Sequence, residues 1–90
     1  MDAKTNIEIR PGIYEHFKGG LYEVRSVAML VDSDRQFVVY CRYDEQDKVF
    51  LRELSEFLQY IDRDGRKVPR FRFLRMSVEH QIGNALSSFD

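Results

Sequence analysis

Six cations crowd one short stretch of this chain: Arg63, Arg66, Lys67, Arg70, Arg72 and Arg75, against the single acid Asp64. The stretch therefore carries +5, and with a net charge of −1 the remaining residues carry −6. A basic strand interleaved with aromatic residues can follow a phosphate backbone while its rings stack on bases. Here Arg70-Phe71-Arg72-Phe73 alternates. The two-residue period of a strand predicts both rings inward and both guanidinium groups outward. The segment is then expected to be an edge strand kept soluble by its cations. Binding of nucleic acid or another acidic partner is its alternative use.

A second group of residues is aromatic. Tyr14 and His16 fall on one strand face by alternation, and with Tyr22, Tyr40 and Phe50, and Arg52 nearby, they are candidates for a binding surface. Rings with polar tips suit a groove for a peptide or protein. They also suit the margin of a small β core, where a tyrosine hydroxyl stays wet.

Catalytic chemistry finds little support. Cys41 with His16 or His80 could pair a thiol with a base, but Cys41 lies in an apolar strand segment, where a free cysteine usually acts as a small hydrophobe. The acids Asp32, Asp34, Asp44, Glu45 and Asp47 are expected in two turns, without the glycine and closing glutamate of a calcium loop. There is no phosphate-binding glycine loop, nucleophile elbow or zinc ligand set. The expectation is a non-enzymatic protein with no metal and no cofactor.

The elements that position these residues read mainly as strands. Residues 1–10 are polar and aperiodic, so they read as a lead-in. Pro11-Gly12 is a turn signal, residues 13–18 a short strand, and Gly19-Gly20 a hairpin-compatible pair. Residues 21–31 are expected to form a long strand in which Val24 and Val27 both look buried, and that odd separation predicts a bend or bulge between them. Phe37 to Tyr43 is the clearest strand, and residues 48–52 form a shorter one. Leu54 to Leu58 lacks β-branched residues and reads as a single helical or 3₁₀ turn. Residues 58–61 return to strand. Asp64-Gly65 predicts a primed hairpin turn, with 68–74 as the returning strand and Pro69 at a sheet edge or strand start. In the tail, Val78, Ile82, Ala85, Leu86 and Phe89 recur at helical spacing, so residues 76–90 are expected to form an amphipathic helix that packs on its own domain or on another copy.

Ninety residues allow one domain. The longest apolar runs are five residues, Val27 to Val31 and Phe37 to Cys41, far short of the ~20 of a membrane span. Met1 to Asn6 carries charge and no apolar stretch, so no secretory signal is expected there. One cysteine excludes an intrachain disulfide framework, and the expected compartment is the cytoplasm.

The run Pro11-Gly12-Ile13-Tyr14-Glu15-His16-Phe17-Lys18-Gly19-Gly20-Leu21-Tyr22-Glu23-Val24 resembles the opening of a bacterial family, the domain of unknown function 1653. The resemblance continues through Val38-Val39-Tyr40, Phe50-Leu51-Arg52-Glu53-Leu54 with Phe57, and Asp64-Gly65-Arg66-Lys67-Val68-Pro69-Arg70-Phe71. Phe50 and Glu53 stand where members of that family commonly carry a tryptophan and a proline. The resemblance implies a small SH3-like β-barrel and no activity. The expectation is thus a mainly β domain over 11–75, a small SH3-like barrel or a rolled antiparallel sheet with a short C-terminal α-helix. Its expected role is a binding module for protein or peptide.

Overall fold

The computed structural model describes residues 9–77. Seven strands and one helical turn follow in order: β1 (Gly12–His16), β2 (Leu21–Met29), β3 (Gln36–Arg42), β4 (Glu45–Glu53), α1 (Leu54–Phe57), β5 (Tyr60–Arg63), β6 (Arg66–Pro69) and β7 (Phe71–Arg75). Five of them form an antiparallel sheet in the order β4-β3-β2-β1-β7, while β5 and β6 pair as a separate hairpin. The outer strands β4 and β7 do not pair with each other, so the sheet is rolled rather than closed into a barrel. The expected tail helix falls, apart from Met76 and Ser77, outside the described residues.

Register explains how the sheet acquires one packed inner face. Tyr14 lies opposite Tyr22, Val24 opposite Tyr40, and Tyr40 opposite Phe50. On the other side of β1, Tyr14 lies opposite Phe73 and His16 opposite Phe71. Cross-strand partners share a face, so one set of rings points inward across all five strands. The expected bulge is present: pairing of β2 with β3 slips between Val24 and Ser26. The extra residue, Arg25, lets Val24 and Val27 both face inward despite their odd separation.

The core consists of Tyr14, Val24, Val38, Tyr40, Phe57 and Phe71, flanked by half-buried Ile9, Tyr22, Phe50, Leu54 and Phe73. The turn α1 contributes Phe57, whose ring stacks parallel on Phe71 at 4.1 Å between centroids. Gly12 permits β1 and β7 to approach: a Cβ there would lie 2.5 Å from the Arg75 carbonyl oxygen and 2.9 Å from the Phe73 ring.

The 68–74 strand expected from sequence is two strands broken at Arg70. The Arg70 amide donates to the Gln59 carbonyl at 2.8 Å, and its own carbonyl accepts from the Phe17 amide at 3.0 Å. Arg70 is thereby the joint between the hairpin and the end of β1. Pro69, which has no amide to donate, ends β6 just before it.

Candidate functional site

The aromatic candidates divide on burial. Tyr14 and Tyr40 are only 6% and 5% exposed. They pack the core rather than line a groove. The Tyr14 hydroxyl donates to the Arg10 carbonyl at 2.8 Å. Burial raises its pKa above the ordinary tyrosine value, against the opposing effects of the nearby Arg10 charge and that hydrogen bond. The Tyr40 hydroxyl accepts from the Arg52 guanidinium Nε at 3.1 Å. That bond is the main cause holding the Arg52 pKa above the usual arginine value. Phe50 is half-buried against Tyr40, with centroids 5.8 Å apart. His16, Tyr22 and Arg52 remain partly open.

These three meet around Phe71. His16 packs edge-on against its ring at 4.9 Å, Tyr22 at 5.6 Å, and the Arg52 guanidinium lies 5.9 Å from its centroid. The inward position of Phe71 in β7, opposite His16, creates this meeting point. His16 Nδ1 accepts the Lys18 amide at 3.1 Å, which leaves the ring proton on Nε2. Partial burial lowers the His16 pKa, and the cationic Arg70, Arg52 and Lys18 lower it further. The imidazole is therefore neutral at pH 7.

The basic candidates do not form one stripe. Arg66 begins β6 beside Lys67, and both are exposed at the tip of the hairpin. Arg75 lies at the other end of β7, opposite Ile13. Arg72 points outward as alternation predicts and pairs with Glu15. Arg70 departs from that pattern: at the joint between the two sheets it is half-buried, and its Nη2 donates to Gln59 Oε1 at 2.8 Å. The Arg70 Nε is buried with no hydrogen-bond partner. Arg63 donates to the Phe17 carbonyl oxygen from across the gap between β5 and β1.

That gap is a cleft of about 470 Å³ between residues 15–19 and the β5–β6 hairpin. Phe17, Val68 and Pro69 give it apolar walls, Lys18 and Arg63 give it positive charge, Glu15 and Arg72 line it as an ion pair, and His16 connects it to the Phe71 cluster. The two regions that the sequence presents as separate thus adjoin at His16. Phe17, Lys18, Val68, Pro69 and Gln59 escape sequence reasoning. The first two directly follow His16 and could have been inferred from that adjacency, whereas nothing local marks Gln59.

Cys41 and His16 are not a dyad. In the register of β3, Cys41 lies opposite Glu23 and Val49, on the face away from His16. No group of three or more His, Cys, Asp or Glu side chains that could hold a metal occurs among the described residues. Nor is any helix among them long and apolar enough to cross a membrane.

An open, rolled antiparallel sheet with a short hairpin beside it defines the class of protein. The family follows from comparison: residues 12–73 match the family described as Protein of unknown function (DUF1653), and the chain belongs to it. The crystal structure of a member from Bordetella bronchiseptica is similar, with 27% sequence identity and a TM-score of 0.67 over 79% of this chain and 94% of that one. No curated protein matches the sequence.

Proposed function

We propose that this protein is a non-catalytic binding module that takes a short acidic peptide segment of a partner protein. The observation that carries the reading is the cleft at the end of β1, with Phe17, Val68 and Pro69 as apolar walls, Lys18 and Arg63 as cations, and Arg72 already paired with Glu15 on its lining. Peptide sites combine pockets for apolar side chains with a few fixed polar groups, and this cleft has both. Tyr22, open beside His16, extends the aromatic surface next to it. A nucleic-acid backbone is the poorer fit, because a charge-tracking groove needs cations in a continuous line. Here Arg66, Lys67 and Arg75 lie away from the cleft, at opposite ends of their strands.

The test is a titration of isotope-labelled protein with an acidic peptide of alternating glutamate and leucine, followed residue by residue by NMR. Amide shifts at Phe17, Lys18, Arg63 and Val68 are expected, reduced in the double variant Lys18→Gln, Arg63→Gln. A lysine-leucine peptide should leave them unmoved. Equal shifts from both peptides, or tighter binding of a single-stranded oligonucleotide at the same residues, would reject the acidic-peptide reading.

A further inference from the structure

We propose that residues 78–90 pack across the outer face of the five-stranded sheet, over β1, β2 and β3, and give the domain a second layer. The inference does not depend on the reading of the cleft.

Register places Ile13, Glu23, Cys41 and Val49 in one row across β1, β2, β3 and β4. Their neighbours along the strands, Tyr14, Val24, Tyr40 and Phe50, belong to the inner core or pack against it. By alternation the row therefore lies on the outer face. An antiparallel sheet leaves such a face in water unless another element covers it. Here Ile13 is 1% exposed, Glu23 6% and Cys41 0%, and exposure then rises to 46% at Val49. This burial arises within a single chain. The cover thus belongs to the same chain, and it stops between β3 and β4.

The other described elements lie elsewhere. The turn α1 sends Phe57 into the inner core, and the β5–β6 hairpin meets the sheet at Phe17 and Arg70, past the end of β1. The start of the described chain is also on the inner side: Ile9 packs against the core, and the Arg10 guanidinium lies 3.8 Å from the Phe73 centroid. The other end leaves β7 beside the buried row. Arg75 pairs with Ile13, a Cβ on Gly12 would lie 3.2 Å from the Met76 Cα, and Ser77 is 4% exposed.

Size and composition agree with this course. Val78, Ile82, Ala85, Leu86 and Phe89 share one face at helical spacing. A helix is about 10 Å wide. The strands carrying Ile13 and Cys41 lie about 10 Å apart, two spacings of about 4.8 Å. One helix matches the width that is buried and leaves Val49 partly open. A sheet with apolar residues on both faces needs a layer on each, and residues 78–90 supply the second.

Methyl NOEs in the full chain test the packing. Contacts from the Ile13 methyls to Ile82 and Leu86 are expected, and a mixture of labelled and unlabelled protein should show that they arise within one chain. Contacts between chains would assign the cover to a second copy, and no contacts would remove it; either result overturns the proposal. Cys41 gives a second readout, because a covered thiol reacts only when the cover opens. Leu86→Glu should raise the rate of Cys41 alkylation by about tenfold or more. Ser87→Glu, on the opposite face by helical spacing, should leave that rate unchanged. Unchanged Val24 and Val38 methyl resonances would show that the inner core survives in both variants. An unchanged rate in Leu86→Glu, or an equal rise in both variants, would also overturn the proposal, and the peptide reading of the cleft would stand.

Discussion

Phe57 shows how much of this small molecule depends on single side chains. It is 1% exposed, stacks on Phe71, and meets Tyr14 and Tyr40 edge-on at 5.5 and 5.6 Å. Truncation would remove its transfer free energy and leave a cavity that a rolled sheet cannot easily collapse. Phe57→Ala is therefore expected to cost about 3–5 kcal/mol, which is much of the stability of a domain this size. Urea unfolding should show a large fall in midpoint, and a loss below about 1 kcal/mol would contradict the packing described. The same logic disqualifies Tyr14→Ala as a probe of binding, because Tyr14 sits in the same buried cluster. Tyr22, half-buried and packed at 6.0 Å from His16, is the aromatic residue whose substitution bears on ligand capture with less damage to the fold.

Among the elements, the pairing of β1 with β7 is the most demanding. Gly12 has φ +153° and would direct a Cβ into the Arg75 carbonyl and the Phe73 ring. Gly12→Ala must therefore push β7 away and disturb the register that sets Phe71 opposite His16. A cost of about 1–3 kcal/mol is expected, accompanied by loss of the ring-current shifts that Phe71 imposes on His16. Retention of both stability and those shifts would contradict the close approach. Most strands were legible in the sequence because β-branched and aromatic runs alternate between polar turns, but β4 begins at Glu45, so Glu45 and Asp47, expected in an acidic turn, lie in the strand. The bulge at Arg25 was legible in the odd spacing of Val24 and Val27. The Asp64-Gly65 turn was legible because few other pairs accept positive φ at both residues, here 54° and 78°. The break at Arg70 was not legible. Alternation across Arg70-Phe71-Arg72-Phe73 is unbroken in sequence, and only the backbone hydrogen bonds to Gln59 and Phe17 divide it. Whether the sheet closes was equally hidden, since strand patterns carry no record of whether β4 meets β7.

At the scale of the whole molecule, a net charge of −1 conceals a basic segment at 63–75 and an acidic remainder. Folding does not keep the cations together: some go to the hairpin tip, some to the cleft, and Arg70 goes half-buried to the joint of the two sheets, against Gln59. The candidate site was therefore legible as two lists of residues but not as one place. The contacts that join the lists run through Phe71 and Arg70, which are distant in sequence from His16. This arrangement has a consequence for overall stability. Burial and then the charges of Arg70, Arg52 and Lys18 hold the folded-state pKa of His16 below 6.5, while the unfolded chain retains about 6.5. Between those two values the unfolded state binds more protons, so stability rises with pH across that window and falls as acid is added. Urea midpoints measured from about pH 7.5 down to about pH 5.5 at fixed ionic strength should decline, and His16→Gln should remove part of that decline. Added salt should shrink the effect without abolishing it. It screens the three cations but leaves the burial of the ring, the larger cause, untouched. An unchanged decline in His16→Gln would show that folding does not lower the pKa of this imidazole.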